Sequence, residues 1–165
     1  MAQNKRRNKK QKSWSMYPSL HDDVVSATQP NDLGVSFYDR DDESGHIFSY
    51  DTNVMGSFRC RNDRCTQGGW GSRRVAVRIR MYPGRRYNAK VFHQRCSSCD
   101  KVAALVLDDG SYVDRLAYRL KKWCGVRMEG GGEGRRYGRR TGGPHQADRC
   151  EGCRAGHCPA GAGTE

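Results

Sequence analysis

The sequence predicts a small α+β fold in which an antiparallel sheet packs against one amphipathic helix. Two patterns predict these elements: apolar and basic residues alternate over residues 73–81, and apolar residues recur at helical spacing over residues 113–124. A third observation concerns what holds the fold together. Only 35% of the 165 residues are hydrophobic, below the roughly 45–50% of an average globular chain, and eight residues are cysteines. The core is therefore expected to be thin, with the cysteines supplying additional stability.

The clearest strand covers residues 73–81, where every second residue is apolar and most of the others are arginines. Side chains alternate between the two faces of a strand, so this pattern predicts one buried face and one solvent face. On that reading the solvent face carries Arg74, Arg78 and Arg80.

Two further strands and a hairpin follow. Pro83 and Gly84 mark a turn, and residues 87–94 form the second strand of an antiparallel hairpin. Residues 102–107 are a short apolar run and predict a third strand. Upstream, residues 13–57 show only short strand-like groups near Val35 and near residues 47–50.

The helix is expected to begin after Ser111, the predicted N-cap, and to stop before Gly125. Lys121 and Lys122 would lie in its last turn, where the helix dipole favours cations. Its buried face would contain Val113, Leu116, Ala117, Leu120 and either Trp123 or Cys124.

Charge divides the chain into segments. The net charge is +12, from 30 Lys and Arg against 18 Asp and Glu. Residues 1–15 form a basic tail that we expect to be disordered, either a solvated tail or a nuclear or nucleic-acid-binding arm. Residues 16–47 form an acidic spacer, expected to be partly ordered and able to fold back on the basic body. The cysteine-containing domain covers residues 48–158, includes a flexible Gly/Arg loop at 129–143, and is followed by a tail at 159–165.

We expect the protein to be located in the cytoplasm, the nucleus or both, because the sequence shows no signal for secretion or membrane insertion. No apolar segment follows the basic N-terminus, which excludes a secretory signal, and no run of 18 apolar residues predicts a membrane span. A reducing compartment favours metal binding over disulfides.

Four cysteines bracket the predicted hairpin and predict a first zinc site. Cys60 and Cys65 precede it, and Cys96 and Cys99 follow it. Two short-spaced pairs supply the four ligands of a tetrahedral structural zinc, as in a zinc ribbon. A disulfide pair and a redox Cys-x-x-Cys remain alternatives, although a redox motif is expected in a βαβ context.

A second cluster near the C-terminus predicts a second zinc. Cys150, Cys153 and Cys158 supply three ligands, and His145 is the favoured fourth because His157 adjoins Cys158 and would have to turn inward. Cys124 competes with His145 as ligand, or is a buried thiol on the helix. His93 is expected to be a surface or core histidine.

The order of these motifs resembles the three-CxxC zinc-finger family, to which receptor-transporting and zygote-arrest proteins belong. The similarity rests on Cys60 and Cys65, the Trp70-Gly71-Ser72 segment, Cys96-x2-Cys99, and the closing His145 with Cys150-x2-Cys153-x4-Cys158. It covers about residues 48–158, and the first pair has four intervening residues where the family has two. The resemblance implies a zinc-stabilised fold, and it implies either RNA binding or assistance to membrane receptors.

Function is expected to be binding rather than catalysis. The sequence contains no phosphate-binding loop, nucleophile elbow or His-Glu-x-x-His motif. The leading hypothesis is a nucleic-acid-binding module for RNA or single strands, and the second is a protein-interaction adaptor or trafficking chaperone. No small-molecule substrate is expected, and the sequence leaves the oligomeric state open. Candidate nucleic-acid contacts are Arg74, Arg78 and Arg80 on the strand and Arg135, Arg136, Tyr137, Arg139 and Arg140 in the Gly/Arg loop, which could equally be a solvated loop.

Overall fold

A six-stranded sheet organises the computed structural model, which describes residues 12–127 and 145–159. The strand order is β1-β5-β4-β3-β6; β2 pairs with β5 in parallel, and the other pairs are antiparallel. The strands are β1 (Trp14–Ser15), β2 (Ser36–Phe37), β3 (Phe48–Arg59), β4 (Gly69–Tyr82), β5 (Arg86–Phe92) and β6 (Ala104–Leu107).

The predicted hairpin is confirmed as β4 and β5, joined at a turn where Gly84 has φ +81° and Arg85 φ +54°. The long strand β3 was expected only as a short group. Its second half, with Gly56 and Ser57, has little apolar alternation, so its sequence carried a weak strand signal. This half pairs with β4 on one side and with β6 on the other, and that pairing creates the centre of the sheet.

One face of the sheet packs against helix α2 (Asp109–Trp123) and forms the main hydrophobic core. Val75, Val77 and Ile79 on β4 and Leu116 and Leu120 on the helix are all fully buried. The alternation over residues 73–81 therefore identified the buried set correctly.

The helix ends differ in how well they were predicted. Ser111 is not the N-cap: the cap is Asp108, whose carboxylate accepts a hydrogen bond from the backbone N–H of Ser111, so the helix begins three residues earlier than expected. Gly125 follows the helix with φ +76°, as expected of a C-terminal glycine, and Lys121 and Lys122 lie in the last turn.

The opposite face of the sheet is covered at Arg80. The prediction that Arg80 points into solvent is therefore wrong. Arg80 is 0% exposed. Its guanidinium donates to Asp41 at 2.9 Å, to the Asp42 carbonyl at 3.2 Å and to Asn88 at 3.1 Å. The acidic spacer folds back over this end of the sheet, as its charge suggested.

The N-terminal segments contribute more structure than the charge pattern predicted. Residues 12–15 of the expected tail are described, and β1 pairs with β5 through Trp14 and Ser15. The spacer contains helix α1 (His21–Ala27), which no periodicity predicted, and His21 shares a hydrogen bond of 2.8 Å with the Tyr87 hydroxyl. Residues 1–11, the Gly/Arg loop 129–143 and residues 160–165 lie outside the described residues.

Over residues 12–127 and 145–159, no helix has the length and apolar character that crossing a bilayer requires.

Candidate metal centres

The first centre lies where two connections of the sheet meet. Cys60 follows β3, and Cys65 lies in the connection to β4. Cys96 and Cys99 occupy the turn between β5 and β6, where Asp100 has φ +59°. Because β6 pairs with the end of β3, this turn is carried to the side of Cys60.

The four sulfurs are arranged as a tetrahedral zinc requires. Bonds of 2.3 Å at the tetrahedral angle place two sulfurs about 3.8 Å apart. The Sγ atoms of Cys60 and Cys99 are 3.5 Å apart, and those of Cys65 and Cys96 are 3.7 Å apart. All four lie within 4.8 Å of one another, and all eight cysteines of the chain are free of disulfides. The four cysteines therefore form no disulfide, and the donor set fits zinc.

The thiols of this centre differ in acidity. The backbone N–H of Lys101 stabilises the Cys99 thiolate against the cost of burial and lowers the pKa of Cys99 to about 6. At Cys60 the backbone N–H of Asn62 favours the thiolate, but burial and the neighbouring thiols outweigh it and raise the pKa of Cys60 to about 12. Because zinc binds the thiolate form of cysteine, zinc binding at this centre releases the protons that the thiols still hold.

The second centre is built by the C-terminal segment and confirms His145 as the fourth member. Cys150 is the N-cap of a one-turn helix, α3 (Glu151–Arg154), which contains Cys153. The group of possible ligands is His145, Cys150, Cys153 and Cys158, with donor atoms within 4.8 Å of one another. The His145 Nε2 lies 3.3 Å from the Cys153 Sγ and 3.5 Å from the Cys158 Sγ, close to the ~3.6 Å expected between N and S ligands of one zinc.

The competing residues lie elsewhere. Cys124 packs against the main core at the end of α2. His157 turns away from the sulfurs and lies with Nδ1 2.7 Å from Arg78 and 3.3 Å from Asp51. His93 is a buried core histidine, 8% exposed, with its Nε2 2.7 Å from the Ser15 hydroxyl.

The second centre is held against the sheet beside the first. The backbone of Cys150 forms a bridge with Gln94, and Arg95 pairs with Glu151 of α3. Arg149 donates to the carbonyl oxygen of Cys96, a ligand of the first centre, at 2.9 Å. The segments that carry the two ligand sets are thus joined by hydrogen bonds.

Gly152 allows the closest contact between the second centre and the sheet. A Cβ atom at Gly152 would lie 2.3 Å from the Cβ of Ala76 on β4 and 3.5 Å from the Cys150 Sγ. Both neighbours are buried, at 1% exposure each. Only glycine fits here, because real side-chain carbons do not approach to such distances.

The change Gly152→Ala is expected to destabilise the protein by about 1–3 kcal/mol and to weaken zinc at the second centre, because the added methyl overlaps Ala76. Thermal unfolding and zinc content measure the two effects. Gly71→Ala is the matched control, since a Cβ at Gly71 meets nothing within 4 Å. The double change Ala76→Gly with Gly152→Ala should restore much of the loss. Equal stability of the Gly152 and Gly71 variants would contradict the packing described.

Of the predicted nucleic-acid contacts, the structure describes the three on β4. Arg80 is buried, as described above. Arg78 is partly buried, with an ion pair to Asp51 at 3.4 Å. Arg74 is half-buried on β4. The remaining candidates, Arg135, Arg136, Tyr137, Arg139 and Arg140, lie outside the described residues.

Three other arginines, which the strand pattern did not single out, lie within one residue of Cys60 or Cys65 in the sequence, and a fourth, Arg73, lies on β4, the strand that pairs with β3. We call Arg59, Arg61, Arg64 and Arg73 the arginine rim; all four are exposed. Within the part of the chain that the structure describes, no carboxylate pairs with any of them. The sequence spacing indicates Arg59, Arg61 and Arg64 as one group, and the β3–β4 pairing adds Arg73 on the neighbouring strand.

Trp70 beside the first centre is a core residue. Its ring stacks on Phe58 with centroids 5.4 Å apart, and its indole N–H donates to Gln94 at 3.0 Å. A role as an open stacking surface is not supported at this position.

Residues 53–156 match the model of a family described as a zinc-binding domain, of the 3CxxC zinc-ribbon type. The matched range includes His145 and six of the seven cysteine ligands, and it stops two residues before the seventh, Cys158. The chain matches no curated protein and no solved structure.

Proposed function

Because the chain belongs to the 3CxxC-type zinc-binding domain family, we propose that it is a zinc-stabilised module that binds single-stranded nucleic acid, with RNA favoured. Two structural zinc ions support this module, one in each ligand set. A zinc with four protein ligands has no open position for a substrate, so the proposed role is binding and not catalysis.

The observation that carries the proposal is the arginine rim. Four exposed arginines without a described carboxylate partner repel one another, and a stable fold has no need of that arrangement. Gly69 and Gly71 lie between them on β4 and leave the surface free of bulky side chains. A phosphate backbone would offset the repulsion and approach closely.

The charge of the metal centre itself must be included. A zinc ion with four thiolates carries two negative charges, and Asp63 and Asp100 add two more nearby. The rim, with Arg74 and Lys101, still outnumbers these charges. The local surface is therefore positive, in keeping with the net charge of +12.

Removing two rim charges is expected to lower the salt dependence of binding. The variant Arg61→Gln with Arg64→Gln should bind an RNA oligomer more weakly, and the slope of log affinity against log salt should fall by about 1.4, or about 0.7 per lost phosphate contact on a single strand. Filter binding or fluorescence anisotropy across a salt series measures both.

The control removes the same charge elsewhere. Arg40→Gln with Arg85→Gln changes two exposed cations outside both the rim and the basic tail and should leave the slope near that of the unchanged protein. Equal slopes in all three proteins, with zinc content intact, would refute the rim as the contact surface.

A second candidate, a protein-interaction adaptor, is favoured by the edge strand β6. Among the described strands β6 pairs only with β3; it contains no charged residue, and it exposes Val106 at 56%. An edge of this kind can accept a strand from a protein client. Failure of the unchanged protein to bind RNA or single-stranded DNA at low salt would favour the adaptor role over nucleic-acid binding.

A further inference from the structure

A group of aromatic side chains lies along one flank of α2, far from the arginine rim. Phe48 and Tyr50 lie at the start of β3, and Tyr118 and Trp123 lie in the second half of α2. We call these four side chains the aromatic flank. Phe48 and Trp123 are stacked, with centroids 5.6 Å apart and planes 17° from parallel. Phe48 remains 43% exposed, so one side of the stack faces solvent. Phe48 and Arg59 lie at opposite ends of β3, about 35 Å apart along the strand.

Arg119 fixes the position of these rings. Its guanidinium carbon lies 3.3 Å from the centre of the Tyr50 ring and 6.0 Å from the centres of Tyr118 and Trp123. Arg119 is only 7% exposed. Cation–π contacts of a desolvated guanidinium are among the stronger of their kind, so the flank is a pre-arranged surface and not a set of independent side chains.

The surroundings of the flank are positive. Arg115, Lys121 and Lys122 lie on the same helix, and exposed Arg127 follows it. Among the described residues none of these four forms an ion pair with a carboxylate. After Asp109 in the first turn, Asp114 is the only acidic residue of the helix.

The core does not account for the exposed ring. Phe48 is absent from the cluster of buried residues and from the side chains packed against it. A large aromatic face that is left in water beside unpaired cations has the composition of a surface that stacks bases and attracts phosphates.

We propose that the aromatic flank is a base-stacking site for single-stranded nucleic acid, with Phe48 as the ring on which a base stacks and with Arg115 and Lys122 facing the phosphates. This inference rests on the proposed function, and it adds to the binding surface a site that recognises bases. The arginine rim would contact any polyanion, whereas the flank distinguishes a strand with bases from one without. An acidic protein partner would share the charge requirement but not the dependence on a planar base.

The test compares two probes on the full-length, zinc-loaded chain. One is a single-stranded oligothymidylate of about twelve nucleotides, and the other is an abasic deoxyribose-phosphate oligomer of the same length. The unchanged protein should prefer the first, and Phe48→Ala should reduce that preference by about tenfold, in the range measured for loss of one base–aromatic stack. Phe48→Trp should retain it. The affinity for the abasic oligomer should be the same for all three proteins.

The matched control is Val106→Ala, which shortens another exposed apolar side chain on a different strand and should leave the preference unchanged. Fluorescence gives a second readout: oligothymidylate should quench the emission of the unchanged protein, and Trp123→Phe should remove most of that quenching while Trp14 and Trp70 remain.

The outcomes separate the two proposals. Binding of both probes with equal affinity, or a Phe48→Ala variant with unchanged preference, overturns the stacking site and leaves the rim as the contact surface. Failure of the unchanged protein to bind either probe at low salt overturns the proposed function and this inference together.

Discussion

Removal of both zinc ions is expected to unfold residues 145–158 and to lower the thermal midpoint of the remaining domain by about 20–40 °C. Structural zinc contributes about 10–16 kcal/mol in zinc-finger peptides, as much as the whole stability of a typical domain. A loss of 10 kcal/mol corresponds to a shift of this size in a chain of this length.

The two parts of the fold should respond differently. Residues 145–158 contain only a 3-10 turn and the one-turn α3, and their apolar packing is limited to a small cluster around Cys150 and Cys158. The sheet and α2 share a core of sixteen buried residues that contains no metal ligand. Hydrogen exchange before and after chelation should therefore show complete loss of protection in the first part and partial loss in the second. Unchanged protection at residues 145–158 with zinc fully removed would contradict a structural role for the metal.

The change Asp41→Ala is expected to destabilise the protein by about 2–3 kcal/mol. Asp41 accepts from Arg80 at 2.9 Å and from Lys90 at 2.9 Å, and Arg80 is 0% exposed. Breaking a fully buried pair costs about 3–5 kcal/mol because it leaves an uncompensated charge inside the protein. The carboxylate side chain is 27% exposed, which reduces the expected cost. Chemical denaturation of the zinc-loaded protein measures it.

Glu43→Ala is the matched control, because Glu43 also pairs with Lys90, at 3.4 Å, but its side chain is 68% exposed. A cost of about 0–1 kcal/mol is expected for such a pair. Equal costs for the two variants would show that the Asp41–Arg80 pair is not a buried pair in solution.

The stabilisation that Asp41 contributes through its ion pair with Arg80 is expected to depend on pH. Burial disfavours ionisation of Asp41, but hydrogen bonds from Lys90 and Arg80 outweigh it and hold the pKa of Asp41 below its ordinary value. A lowered pKa in the folded state stabilises the fold above the pKa of the unfolded chain, and that stabilisation is lost as pH falls through the folded value. The difference between the unchanged protein and Asp41→Ala should therefore shrink in acid, below about pH 4.

The sequence predicted those features that depend on local spacing. Both ligand sets followed from short cysteine spacings and from the placement of His145, and the hairpin and α2 followed from periods of two and 3.6 residues. The N-cap was missed because Asp108 and Ser111 are both good capping residues, and only the structure shows that the Asp108 side chain accepts the bond.

The features that were missed depend on contacts between distant parts of the chain. The alternation over β4 predicts a solvent face only when nothing covers that face. Here residues 41–43 cover Arg80 at one end, and the second metal centre covers Ala76 farther along. The rim and the aromatic flank likewise bring together residues from two or more elements. Neither can be read from one segment of sequence.

The central claim is that two separate four-residue sets each hold one structural zinc, and elemental analysis of purified protein tests it most directly. The unchanged chain and the Cys124→Ser variant should each contain two zinc ions. Removal of one ligand pair, by Cys96→Ser with Cys99→Ser or by Cys150→Ser with Cys153→Ser, should leave about one. A content near zero in the unchanged chain, or the loss of one ion in Cys124→Ser, would contradict the assignment of the two centres.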